Sequence, residues 1–170
     1  MILIALGSNL PTRFGPPVDT ITTAIDRIGT QADIRVTACS RLYRSPPWPP
    51  GSQQPDYINA VIAVDTDLPP AALLDRLHAI EADFGRARQE RNAPRPLDLD
   101  LIAYNDRVRL DHAAPLLPHP RLQDRAFVLL PLRDIAPGWH HPASGSALED
   151  LIAALDNSTS AEPLADAKAR

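Results

Sequence analysis

Apolar positions along the chain fall into short blocks with two different periods. Residues 2–6 (ILIAL) form a continuous apolar run closed by Gly7-Ser8-Asn9, which predicts a buried strand ending in a turn. Val18, Ile21, Ile25 and Ile28 then recur at helical spacing, with Gly29 placed to end the helix. From Ile34 the pattern alternates, Ile34, Val36 and Ala38 against Arg35, Thr37 and Cys39, and the extended run continues to Tyr43. The prolines of residues 45–55 exclude regular structure there. Residues 57–65 alternate again, so Ile58, Ala60, Ile62 and Val64 share one face and Tyr57 and Asn59 the other. Pro69-Pro70 opens a helix whose stripe is Leu73, Leu77, Ile80 and Phe84, ended by Gly85. After a polar loop over 86–96, Leu97, Leu99 and Leu101 alternate with Asp98 and Asp100, and Asn105-Asp106 suits a tight turn towards Val108.

The resulting order, βαββαβ, predicts an α+β fold of ferredoxin-like type, an antiparallel sheet with helices packed on it. A C-terminal extension follows. The period of Phe127–Leu132 does not decide between strand and helix. Ser146 and Glu149 have capping-box spacing and predict a last helix to about Leu155. The tail over 156–170 is small and polar and is expected to fray, leaving 1–155 as a single domain.

Composition narrows the classes. The chain's 170 residues, 44% hydrophobic and 22% charged, suit one globular domain with a sizeable core. Nothing approaches the roughly 20 apolar residues of a membrane span, and no basic segment precedes the first apolar run. The expectation is a cytoplasmic protein without a membrane partner. Cys39 is the single cysteine, which excludes an internal disulfide and a cysteine-based zinc site. A net charge of −4 argues against a nucleic-acid partner.

Arginine accounts for every basic residue except Lys168, and it is informative where it clusters. Arg86, Arg88, Arg91 and Arg95 fall within ten residues and run directly into Asp98 and Asp100. Guanidinium forks suit phosphate oxygens. The two carboxylates, about 6–7 Å apart on one strand face, suit Mg²⁺, which binds one or two carboxylates together with substrate phosphates. A solvated network of arginines and aspartates is the plainer reading, and the adjacency of the two groups favours a polyphosphate site. His119, held between Pro118 and Pro120, reads on its own as a turn or packing residue, with Arg125 and Phe127 just beyond it. Tyr57 and Asn59 on one face, with Trp48 and Phe127 elsewhere, would suit a flat heterocycle that needs aromatic walls and an amide at its edge.

Together these segments resemble one family, the 6-hydroxymethyl-7,8-dihydropterin pyrophosphokinases of folate biosynthesis. The matching stretches are LGSNL at 6–10, SRLYRSPPW at 40–48, QPDYINAVIAVDT at 54–66, IEADFGRAR at 80–88, APRPLDLDLI at 93–102 and LPHPRLQDRAFVLLPL at 117–132. The resemblance implies transfer of pyrophosphate from ATP to the pterin hydroxymethyl group, with release of AMP. It implies that Asp98 and Asp100 hold two Mg²⁺ ions and that Arg86, Arg95, His119 and Arg125 contact the triphosphate, with Arg88 on a mobile loop. It puts Leu74, His78 and Glu81 near the nucleotide. Ser45, Pro46, Trp48, Tyr57, Asn59 and Phe127 become the pterin pocket, the ring stacking between Tyr57 and Phe127. The Gly7-Ser8-Asn9 loop becomes a mobile flap. Arg86, Arg95, Asp98 and Asp100 are the expected catalytic set, with Asp100 or a water as the candidate base. Asn92-Ala93 stand where the family often has Trp-Gly, and Pro120 where it often has an aromatic residue. Two other readings remain open from the residues themselves: a phosphotransferase acting on a different acceptor, and a nucleotide-binding module without catalysis. A single chain acting as a monomer on small molecules is expected.

Overall fold

The unbroken apolar run at the N-terminus belongs to a strand that is covered on both sides. In the computed structural model, which describes residues 1–47, 52–86, 95–111, 114–156 and 160–168, β1 (Ile2–Ser8) lies inside a six-stranded sheet. Ile2, Ile4 and Leu6 pack into one core and Leu3 and Ala5 into another on the opposite face. The elements in chain order are β1, α1 (Pro17–Gly29), β2 (Arg35–Cys39), β3 (Arg41–Ser45), β4 (Tyr57–Asp65), α2 (Pro70–Asp83), β5 (Asp98–Tyr104), α3 (Ala126–Ile135), α4 (Leu148–Ala153) and β6 (Glu162–Lys168). The strands run β5-β1-β4-β3-β6, with β2 also on β4, and every pairing is antiparallel.

Both long helices on the larger core begin on a Pro-Pro pair, where the missing N–H is one that no helical carbonyl would have used. Their buried stripes, Ile21, Ala24, Ile25 and Ile28 on α1 and Leu73, Leu77 and Ile80 on α2, meet Ile58, Ala60, Ile62 and Val64 of β4 in that core. Gly85 follows α2 with φ at +86°, a conformation that favours glycine, so it ends this helix as expected. Gly29 instead closes α1 from within, and Thr30 takes the capping position.

The α+β order holds, with five local corrections. Gly7 and Ser8 are the last residues of β1 and not a turn. The extended run 34–43 is split at Ser40 into β2 and β3. There the Ser40 hydroxyl accepts from the Val61 N–H at 3.0 Å and donates to the Arg41 carbonyl at 2.7 Å, replacing the regular ladder. The segment 127–132 is part of α3, which buries Val128, Leu129 and Leu132 against the second face of the sheet. The capping box does not form, because α4 starts at Leu148 with Ala147 at its cap, one residue later than Ser146 requires. Finally, the tail expected to fray contributes β6, whose backbone pairs with β3. Backbone pairing to an open edge strand needs little from the side chains, which is why composition did not show it.

Ser40→Ala should cost about 1–3 kcal/mol, because it leaves the buried Val61 N–H at the strand break without its acceptor. Chemical denaturation measures this. A loss below about 0.5 kcal/mol, as for an ordinary surface change, would show that the break does not depend on the hydroxyl.

Candidate active site

Polar groups gather where β1 runs out of apolar residues. Gly7 pairs with Asp98 of β5 on one side and with Asn59 of β4 on the other, and Asn59 pairs in turn with Tyr43 of β3. A Cβ at Gly7 would lie 3.4 Å from Asn59 Oδ1, 3.8 Å from Tyr57 Cδ1 and 4.0 Å from Asp98 Cβ. Glycine therefore leaves an open floor between the acidic strand and the Tyr57–Asn59 face.

The next two residues fasten the loops on either side. Ser8 donates to the Pro96 carbonyl at 2.6 Å. Asn9 Oδ1 accepts from the Arg95 N–H at 2.9 Å, and its amide nitrogen donates to the Pro55 carbonyl at 3.2 Å and to Gln54 Oε1 at 3.3 Å. Both side chains are buried. They form a clamp across the two loops. Sequence reasoning gave them no positional role, although polar residues ending a buried strand were the available signal.

The charged groups form one connected network. Arg86 Nη1 donates to Asp98 Oδ1 at 2.6 Å and also pairs with Glu81, while Arg95 pairs with the other oxygen of Asp98. Glu81 is buried and accepts the Leu99 N–H at 2.7 Å, which satisfies a donor on the open edge of β5. Arg125 pairs with Asp100 at 2.9 Å and lies over the Phe127 ring, 5.5 Å from its centroid. Burial works against the charge on Arg95, but Asp98 more than offsets it, so the guanidinium pKa is raised. Burial also raises the Tyr57 phenol, with the Arg95 charge acting in the opposite direction.

His119 is placed by a bulge in β5. The β1–β5 register passes from Ala103 to Leu101, and the Ile102 carbonyl, skipped by that pairing, accepts the His119 N–H at 2.8 Å. His119 Nδ1 accepts from the Arg121 N–H at 3.1 Å, which leaves the proton of a neutral ring on Nε2. Burial first, and the Arg125 charge second, hold its pKa below the ordinary histidine value.

The remaining expected residues are distributed as follows. Ser45 is buried and accepts from Asn59 Nδ2 at 2.9 Å, and the exposed Pro46 follows it directly. Leu74, His78 and Glu81 share one face of α2, with Leu74 about 10 Å from Glu81 along the axis. Arg88, Trp48 and the loop over 87–94 lie outside the described residues. Among the described residues no group of three or more His, Cys, Asp or Glu side chains could hold a metal. The protein's own offer is the Asp98–Asp100 pair of hard oxygen donors, which suits Mg²⁺ completed by water and phosphate and not zinc.

Residues 3–137 match the model of the 7,8-dihydro-6-hydroxymethylpterin-pyrophosphokinase (HPPK) family. The chain belongs to this family. A 2-amino-4-hydroxy-6-hydroxymethyldihydropteridine pyrophosphokinase of Synechocystis is 45% identical over 154 residues, covering 91% of this chain and 75% of the relative. One of Pseudomonas aeruginosa is 42% identical, covering 90% of each. Among solved structures, an HPPK-DHPS in complex with substrates superposes with a TM-score of 0.67 at 12% identity, over 88% of this chain and 44% of that one. The Plasmodium falciparum HPPK-DHPS gives 0.65 at 13% identity, over 88% and 43%. The chain thus spans less than half of these longer molecules, and the likeness supports the HPPK fold.

In an NMR titration His119 should titrate below free histidine. Arg125→Gln should move it part of the way up, since burial, the larger cause, remains. A His119 resonance at the ordinary value in the wild type would remove the assigned ring environment. The sign for stability follows. The unfolded chain takes up this proton first, so the burial of His119 weakens the fold as pH falls through the ordinary histidine value.

Proposed function

We propose that the charged end of the sheet is where this HPPK transfers pyrophosphate from ATP to 6-hydroxymethyl-7,8-dihydropterin, with the Asp98–Arg86–Arg95 network carrying the assignment. The family is one of ATP-dependent pyrophosphokinases acting in folate biosynthesis. The pterin hydroxyl oxygen attacks the β-phosphorus and gives up its proton to Asp100 or a water, the bond between the α- and β-phosphates breaks, and AMP leaves. Such transfer needs little covalent chemistry from the protein and much positioning and charge stabilisation.

The network is suited to an exchange of partners. Arg86, Arg95 and Arg125 pair with Asp98 and Asp100. A triphosphate brings oxygens that these guanidinium groups bind equally well, which frees carboxylate oxygens for metal. Asp98 and Asp100 hold two Mg²⁺ ions in this reading. Held by these carboxylates, Mg²⁺ would supply positive charge to the phosphate chain. Neutral His119 presents Nε2–H as a phosphate donor, and Leu74 and His78 line the approach of the nucleoside along α2.

On the other side of Gly7, Tyr57 and Phe127 form the two walls of the pterin pocket and the Asn59 amide reads the ring edge. Ser45 orients that amide through the 2.9 Å bond from Asn59 Nδ2. The acceptor hydroxyl then approaches the phosphates across the open floor at Gly7. Trp48 and Arg88 are assigned to the pterin and ATP sides respectively, by their place in the matching motifs.

AMP should form from ATP and Mg²⁺ only when the hydroxymethyl-dihydropterin is present; pterin-independent AMP would point to a different acceptor. Asp98→Ala should lose most of this activity, and Arg95→Ala should slow turnover by on the order of 10³-fold or more, as for other arginines that stabilise phosphoryl transfer. Near-normal turnover of either variant under saturating substrates would overturn these roles.

A further inference from the structure

The first turn of α3 carries Phe127; the Arg125 carbonyl accepts from the Val128 and Leu129 N–H groups at 3.0 Å, but the turn lacks two further supports. No side chain among the described residues caps it at Arg125. Pro131, inside the same helix, has no N–H, so the Phe127 carbonyl receives no bond from four residues on. The position of Phe127 therefore depends on what packs around it. One support is the second core. The other is a small cluster of Tyr43, Ala126 and Ala161, all buried, against which Phe127, Leu130 and Leu155 pack.

Ala161 immediately precedes β6. The strand is anchored on both faces of the sheet, by Ala161 in this cluster and by Leu164 against the larger core. It also lies in the row of the site. Asp98, Gly7, Asn59, Tyr43 and Pro163 pair in succession across β5, β1, β4, β3 and β6. Ala161 and β6 lie beyond residue 137, where the family match ends.

We infer that the C-terminal strand is a positioning segment for the pterin pocket: β6 holds Ala161 against Tyr43 and Ala126, and that contact sets the distance of the Phe127 wall from Tyr57. This rests on the reading of Phe127 as a pocket wall. With β6 removed, Tyr43 and Ala126 lose their cover, and the first turn of α3 is free to move outward. The nucleotide side is served by β5, α2 and the clamp at Ser8 and Asn9, and Arg125, at the cap of α3, is held separately by its ion pair with Asp100 of β5 at 2.9 Å, so ATP binding is unaffected.

The test compares the full chain with a variant ending at Asp156 and with Ala161→Asp in the full chain, measuring AMP formation while each substrate is varied. The pterin KM should rise by about tenfold in both variants, the scale of one well-seated aromatic contact, while the KM for ATP stays unchanged. Ala161→Ser, close to alanine in volume, should keep the wild-type pterin KM. If β6 only covers the edge of β3, both variants lose thermal stability without separating the two KM values, and the inference fails. Should the truncated chain not fold, Ala161→Asp decides alone. Phe127→Ala is the control for the underlying reading. An unchanged pterin KM in that variant removes Phe127 from the pocket, whereas a raised one beside unaffected β6 variants overturns the role of β6 alone.

Discussion

Everything in this molecule is organised around the two-sided burial of β1. A strand that packs into a core on each face can carry no polar side chain along its length, so polar chemistry is displaced to the point where it emerges. At that point Gly7 provides space, and Ser8 and Asn9 tie down the loops on both sides. The acidic strand and the aromatic-amide face become neighbours because a single glycine separates them, with Asn59 Oδ1 only 3.4 Å from where a Cβ would sit. The phosphate and pterin halves of the proposed site thus meet across the residue with the least bulk in the row.

The charged half is compensated internally. Asp98 shares its oxygens between two arginines, and Glu81 links one of these to the edge of β5. Such a network contributes little net stability, because removing these groups from water costs much of what their attraction returns. Its proposed use is exchange of partners with a phosphate chain. Each guanidinium already faces an oxyanion of the geometry it would meet on a phosphate chain, so binding replaces one set of oxygen partners with another and leaves no cation bare in between.

The aromatic half depends on more distant parts of the chain. Pro131 removes a backbone bond from the turn that carries Phe127, and compensation comes from α4, β3 and the C-terminal strand. Trp139, Leu148, Leu151, Ile152 and Ala161 complete the second layer of the sheet although the family match stops before them. A helix start that has lost one backbone bond leans more on packing, and packing can draw on any segment that reaches it.

Local physics was legible in the sequence. The strand at 2–6, the Pro-Pro helix starts, the end of α2 at Gly85 and the alternation of β4 and β5 follow from period, φ restriction and missing donors, which act over a few residues. The Arg and Asp composition of the proposed phosphate site was equally visible, since those groups lie close together along the chain. Where the reading missed, the deciding partner was far away. Ser40 breaks its strand because Val61 needs an acceptor, and residues 127–132 become a helix because the second face of the sheet needs a cover. The tail becomes β6 because β3 has an open edge. The sequence alone determined which chemical groups this protein possesses and the order in which its elements are made. Only the tertiary structure decided that Asn9 would clamp Arg95, that a bulge would aim His119, and that the last strand would lie in the row of the site, because each depends on groups that folding brings together from separate segments of the chain.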